Sequence, residues 1–412
     1  MRPERPRTAG PGGRAPAGRR RAAAAIAVPL AAATAVLPVA PAASAAPARP
    51  AAVATAAPTE PVGGPQLAGK GTIVNGAPGV PAAPKIKAAS YLIADGDTGA
   101  VLAAKDPHGH YLPASTLKTL TTVALVPKLD PDRLVRPSQA ACDVEGTKVG
   151  LTPKMQYKVS DLFYALMMMS ANDAAVALAE ANGGMNKTLD DMNAEARRLN
   201  ARDTLAGSPN GLDKDLGLSV KTQHTSSYDL ALILREGLKN PDFRKYVETI
   251  DHHFPAPPTK KERKKGKKVG GYPIHTHNRM LPGQAHAYQG MVGGKNGYTV
   301  AASQTYVAAA RRGGKTIIIA LMKADKPPSP YAAKLLDWGF AAQGKVKPIG
   351  ELVAPGDLKP EPASDDRSRT LLPRALTSPD ESDQSWLLVG GGALGVALAA
   401  GVLTFVLRRR RS

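Results

Sequence analysis

One cysteine in 412 residues, Cys142, excludes an intramolecular disulfide, and no motif around it marks a nucleophile; it reads as a small apolar residue of the interior. His-Glu-x-x-His is absent. The pairs His252-His253 and His275-Thr276-His277 lack a carboxylate at ligand spacing, which excludes a zinc peptidase and leaves no metal or other cofactor to expect. Gly313-Gly314-Lys315-Thr316 lacks the first glycine of a phosphate loop, since Ala309 stands at that position. Acidic residues are scarce, 34 against 54 Lys and Arg, for a net charge of +20. That excess is local: residues 1–45 carry +6, residues 260–268 another +6 and the final arginines +4, so +4 remains for everything else. Nucleic-acid binding is excluded on that distribution. The 260–268 run reads as a solvated loop, with docking on an anionic wall polymer or lipid headgroups as its sharper alternative.

What is present is a set of three short motifs in order. Ser115-Thr116-Leu117-Lys118 opens an apolar-periodic helical segment, and the three-residue spacing puts both side chains on one face. A serine hydroxyl needs a base to become a nucleophile. Lys118 serves only if burial or a neighbouring cation brings its pKa down from about 10.4. Backbone N–H groups left free in a first helical turn suit a developing oxyanion. Ser170-Ala171-Asn172 interrupts two apolar segments with polar side chains: Ser170 is placed to relay a proton, Asn172 to bind Lys118 or a substrate amide. Gly293-Gly294-Lys295-Asn296-Gly297-Tyr298-Thr299 combines glycines, which admit a peptide backbone, with a cation for an anionic substrate. Each triplet alone is more simply a cap, a junction or a turn; their combination points to serine acyl transfer.

These residues resemble the low-molecular-mass penicillin-binding proteins, the serine D-alanyl-D-alanine carboxypeptidases, whose signatures are Ser-x-x-Lys, Ser-x-Asn and Lys-Thr-Gly. Tyr111-Leu112-Pro113-Ala114, Ser208-Pro209-Asn210-Gly211-Leu212-Asp213, Ser227-Tyr228-Asp229-Leu230-Ala231 and His277-Asn278-Arg279-Met280-Leu281 extend the likeness across residues 88–344. The resemblance implies an α/β (α+β) fold of the β-lactamase/transpeptidase type, an antiparallel sheet flanked by helices plus a helical subdomain. It implies Ser115 as the acylated nucleophile, Lys118 as base, and Ser170 and Asn172 in the cleft. Lys295, Asn296, Gly297, Tyr298 and Thr299 would bind substrate, with the N–H groups of Ser115 and Tyr298 as the oxyanion hole. The partners implied are peptidoglycan stem peptides and, as covalent inhibitors, β-lactam antibiotics. Two positions depart from the pattern: Asn296 replaces the usual threonine, and Lys326-Pro327-Pro328-Ser329-Pro330 has no arginine where many relatives carry one for the substrate carboxylate. Alternatives of the same superfamily are a D,D-endopeptidase or a β-lactamase, although no Glu-x-x-x-Asn follows the second motif. A wall-binding protein without turnover is the alternative of another class.

The rest of the chain sets the expected organisation. Residues 1–45 read as a signal peptide, with Arg19-Arg20-Arg21 before an apolar stretch and Ala43-Ser44-Ala45 as a cleavage site. An Ala/Pro-rich disordered linker is expected over 46–84, the peptidase domain over 85–345 and a disordered stalk over 346–385. Residues 386–407 are an uncharged run; a helix of that length spans about 33 Å, enough for a bilayer core of about 30 Å. The arginines of the 408–412 tail then keep the C-terminus cytoplasmic and the catalytic domain outside. Within the domain, hairpins are expected around residues 88–104 and 305–322, with helices between.

Overall fold

The computed structural model describes residues 60–356. In chain order its strands are β1 (Thr72–Val74), β2 (Ala88–Asp95), β3 (Ala100–Lys105), β4 (Leu134–Val135), β5 (Tyr157–Lys158), β6 (Asp251–Ala256), β7 (Gly270–His275), β8 (Met291–Thr299), β9 (Ser303–Arg312), β10 (Lys315–Ala324) and β11 (Gly350–Glu351). The helices are α1 (Lys118–Leu125), α2 (Gln139–Asp143), α3 (Val159–Met168), α4 (Asn172–Ala181), α5 (Met185–Arg198), α6 (Ser227–Gly237), α7 (Pro241–Glu248), α8 (Lys260–Lys264) and α9 (Ser329–Ala342). A seven-stranded sheet runs β1-β3-β2-β10-β9-β8, with β11 also on β3, and every pairing is antiparallel. The two expected hairpins are β2–β3 and β9–β10. The fold class is the one the motifs imply.

Strand periodicity explains how the sheet separates two cores. Leu92, Ala94, Val307, Ala309, Ile318 and Ala320 face one side, where they pack with Leu230, Ile233 and Leu234 of α6 and with the helices of the chain's middle. Tyr91, Ile93, Tyr306, Ala308, Ile317, Ile319 and Leu321 face the other, against Leu335, Leu336 and Trp338 of α9. Burial on both faces is why Ile317-Ile318-Ile319-Ala320-Leu321-Met322 reads as an unbroken apolar run. The helical subdomain, α1 to α5, lies over the first face and carries two of the three motifs.

The flanks differ from expectation. The linker predicted over 46–84 is ordered from its first described residues: β1 pairs with β3, Leu67 is buried, and Pro81 accepts a hydrogen bond from Trp338 Nε1 at 2.8 Å. The stalk predicted from 346 likewise begins as part of the domain, with Val346, Ile349, Leu352 and Val353 buried and β11 paired to β3. The edge of β3 supplies the reason, because its unpaired backbone groups take both flanks as partners. Cys142 is half-buried rather than interior; burial first, then nearby carboxylates, pushes its thiol up. Among the described residues no helix is long and apolar enough to cross a membrane. The expected signal peptide and the 386–407 span lie outside them.

Candidate active site

Ser115 sits in a 3-10 turn, Ala114–Leu117, that feeds directly into α1. The turn is held on several sides. Ala114 is forced to φ 46°, a left-handed conformation that costs an L-residue roughly 1–2 kcal/mol. Pro113 O accepts from Thr116 Oγ1 at 2.6 Å and from Thr305 Oγ1 of β9 at 2.9 Å, which pins the turn to the sheet. Gly297 of β8 lies so close that a Cβ there would fall 2.7 Å from Ser115 N. Gly211 closes the other side: a Cβ there would meet Ala114 O at 1.9 Å, and its φ of +81° already favours glycine.

Lys118 is fully buried and its Nζ has three neighbours: Ser115 Oγ at 3.0 Å, Asn172 Oδ1 at 2.8 Å and Asn210 O at 2.6 Å. Asn172 Nδ2 donates to Glu145 O at 2.7 Å, which fixes the amide so that its oxygen must face Lys118. The carbonyl-bearing loop is itself organised by buried Asp173, whose carboxylate accepts from the N–H groups of Val149, Gly150 and Leu151. Burial, followed by the Lys295 ammonium, lowers the Lys118 pKa well below the usual lysine range, against a smaller opposing pull from Asp173. A neutral amine has two N–H donors and one lone pair. Both donors are claimed by acceptors that can do nothing else, so the lone pair is left for Ser115 Oγ.

Ser170 and Asn172 lie at the break between α3 and α4, with Ser170 at φ 64°. Ser170 is nearly buried, and its hydroxyl makes no hydrogen bond among the described residues. Lys295 is buried on β8 and donates to Asn296 O at 2.7 Å; burial brings its pKa down to about 7. Tyr298 is exposed, 60% of its surface reaching solvent. Thr299 Oγ1 donates to Asp213 Oδ2 at 2.5 Å and accepts from Ala302 N, so this hydroxyl closes a loop. Asn296 points the other way from Lys295, into a cleft of about 720 Å³ lined also by His277, Arg279, His286 and Gln304. No carboxylate lines it. His277 is held below the usual histidine range by burial first, then by Lys295 and Arg279.

Sequence reasoning thus places Ser115, Lys118, Asn172, Lys295 and Gly297 in one constellation. It misses the working parts of other stretches: the Asn210 carbonyl, the space at Gly211, the Asp173 loop and the cationic cleft around Arg279. Ser208-Pro209-Asn210-Gly211 carried a signal, since Asn-Gly marks a tight turn. Nothing in one sequence tells that a backbone carbonyl from that turn is a lysine's partner. Among the described residues no group of His, Cys, Asp and Glu could hold a metal ion.

Comparison with known proteins bears on this geometry. A family model described as D-alanyl-D-alanine carboxypeptidase matches residues 78–326. D-alanyl-D-alanine carboxypeptidase DacB2 of Mycobacterium tuberculosis is 35% identical over 270 residues, covering 64% of this chain and 86% of that protein. DacF of Bacillus subtilis, named for the same activity, is 27% identical over 263 residues, 62% of each chain. Among solved structures, a D-alanyl-D-alanine carboxypeptidase from Mycobacterium tuberculosis superposes with a TM-score of 0.59 at 33% identity, covering 67% of this chain and 98% of that one. The Streptomyces K15 DD-transpeptidase superposes with a TM-score of 0.56 at 25% identity, over 63% and 100%.

Proposed function

Since the chain belongs to the D-alanyl-D-alanine carboxypeptidase family of serine DD-peptidases, we propose that it trims the terminal D-alanine from peptidoglycan stem peptides through an acyl-enzyme on Ser115. The observation that carries this reading is the forced orientation of Lys118, whose lone pair is left facing Ser115 Oγ. Ser115 Oγ attacks the carbonyl of the penultimate residue while its proton passes to Lys118. The tetrahedral oxyanion forms against the N–H groups of Ser115 and Tyr298, and its collapse breaks the peptide bond. The departing D-alanine amine takes the proton back, with Ser170 between Lys118 and the leaving nitrogen. Water then hydrolyses the ester, with Lys118 again accepting the proton. A positioned base of this kind is worth about 10²–10⁴ in rate.

The terminal carboxylate goes to the cationic cleft. Asn296 offers an amide donor where relatives have a hydroxyl, and Arg279 on the cleft wall supplies the charge, with Lys295 behind β8 in electrostatic reach of His277; Lys326 is not among the lining residues. Residues 386–407 we read as a single-pass anchor holding the catalytic domain outside the cell, on sequence grounds alone.

Intact-mass spectrometry with benzylpenicillin tests the central step. A one-to-one adduct is expected on the wild type and none on Ser115→Ala, alongside D-alanine release from a D-Ala-D-Ala peptide by the wild type only. A folded wild-type protein that neither forms the adduct nor releases D-alanine defeats the proposal, as does undiminished release by Ser115→Ala.

A further inference from the structure

The segment 260–268 is not the loose solvated loop its charge suggests. It forms the tip of a two-stranded ribbon in which β6 and β7 pair over six residues, from Asp251↔His275 to Ala256↔Gly270. The base of the ribbon is fixed: Phe254 is fully buried and stacks on Tyr157 at 5.6 Å, and His252 pairs with Asp161 at 2.8 Å. At the tip a reciprocal capping box between Thr259 and Glu262 winds the chain into α8, and Arg263 donates to Pro258 O at 2.8 Å. Seven basic side chains and one carboxylate occupy those nine positions. The carboxylate, Glu262, is spent on the cap and on Lys267 at 3.6 Å. Lys260, Lys261, Lys264, Lys265 and Lys268 are exposed and have no carboxylate partner among the described residues. A dense, unneutralised charge on a pre-ordered turn is a surface built for a polyanion, because little conformational entropy is lost on docking.

Position in the fold narrows the partner. β7 runs from the tip into Thr276, His277 and Arg279 of the cationic cleft, so the tip stands one ribbon length, about 20 Å, from the cleft. The ribbon follows α7, which packs on β8, one edge of the sheet; the described chain ends after β11 at the other edge, five strand spacings or about 24 Å away. We infer that the basic tip docks a phosphate-bearing anionic polymer of the wall, holding the cleft against the material that presents its stem peptides. Only the choice of a wall polymer rests on the functional reading above.

Full-length protein in neutral-detergent micelles is titrated with poly(glycerol phosphate) and, separately, with phosphatidylglycerol vesicles. Wild type is expected to bind the polymer with an affinity that falls steeply with salt. The exposed quadruple variant Lys260→Gln, Lys261→Gln, Lys264→Gln, Lys265→Gln should bind at least about tenfold more weakly. An equal-charge control (Lys85→Gln, Lys87→Gln, Lys345→Gln, Lys347→Gln) should bind as wild type does. Benzylpenicillin acylation, read on the same samples, should be unchanged in both variants, and Ser115→Ala should bind polymer normally, so docking and catalysis fail separately. Equal loss in the two quadruple variants, or no loss in the first, overturns the inference. A larger loss of vesicle binding than of polymer binding in the first quadruple variant overturns it in favour of a lipid surface.

Discussion

At the scale of single residues, the proposed mechanism turns on Lys118, whose two donors are claimed by Asn172 Oδ1 and Asn210 O. Asn172→Asp is the sharpest test. Aspartate cannot donate to Glu145 O, and its charge beside Lys118 favours the ammonium form, so acylation at pH 7 should fall at least about 100-fold and recover as the pH rises. A pH-independent loss would mean that Asn172 acts on the substrate alone. Lys295 makes a second pH argument. With a folded pKa of about 7 against an unfolded value near 10.4, the unfolded chain holds this proton between the two pH values while the folded chain does not. Stability contributed by this group therefore rises with pH across that window, by up to about 4 kcal/mol. Urea unfolding of wild type minus Lys295→Met, followed from pH 6 to pH 10, should show that slope. On the proposed reading the same deprotonation weakens the field that attracts the substrate carboxylate, so KM for a D-Ala-D-Ala peptide should climb above pH 7 while kcat changes less. Arg279→Ala should raise KM at least about tenfold at constant pH with little effect on kcat.

At the scale of elements, three segments distant in sequence are packed against one four-residue turn, and glycine is what allows it. Gly211→Ala would add a Cβ 1.9 Å from Ala114 O at a φ of +81°. A destabilisation of at least about 2 kcal/mol is expected, with Ser115 displaced. Urea midpoints and benzylpenicillin labelling measure the two effects, and unchanged labelling would show that the Ser208–Asp213 loop is not what positions the serine. Legibility follows the same division. The 3.6 and 2.0 periodicities made α3, α4 and the hairpins readable, and the Ser-x-x-Lys spacing made a shared helical face readable. Asn210 was not readable in its role because it acts through its main chain, nor Asp173, because its N–H partners sit more than twenty residues upstream in a segment without regular structure. Thr305 was hidden in a strand as an ordinary β-former, yet its hydroxyl ties that strand to the turn that carries Ser115.

At the scale of the whole molecule, composition misled the boundaries. Alanine and proline before residue 85 and proline with acidic residues after 345 suggested chain with nothing to bury, but the few apolar residues there are well placed. Leu67, Ile349 and Leu352 join the core that holds α1 and α6. Asn75 Nδ2 ties one flank to the other through Lys347 O and Pro348 O, and Tyr228 OH of α6 donates to Glu351 O and accepts from Val353 N. A fragment limited to 85–345 would expose the edge of β3 and discard Leu67, Val346, Ile349, Leu352 and Val353. At about 1.5–3 kcal/mol for each fully buried side chain, the loss approaches 10 kcal/mol, which is comparable to the roughly 5–15 kcal/mol that holds a domain folded. The 85–345 fragment is therefore expected to aggregate or to melt at least about 10 °C below a 60–356 fragment. Side-by-side thermal unfolding decides it: equal melting temperatures would mean that both flanks merely lie on a domain complete without them.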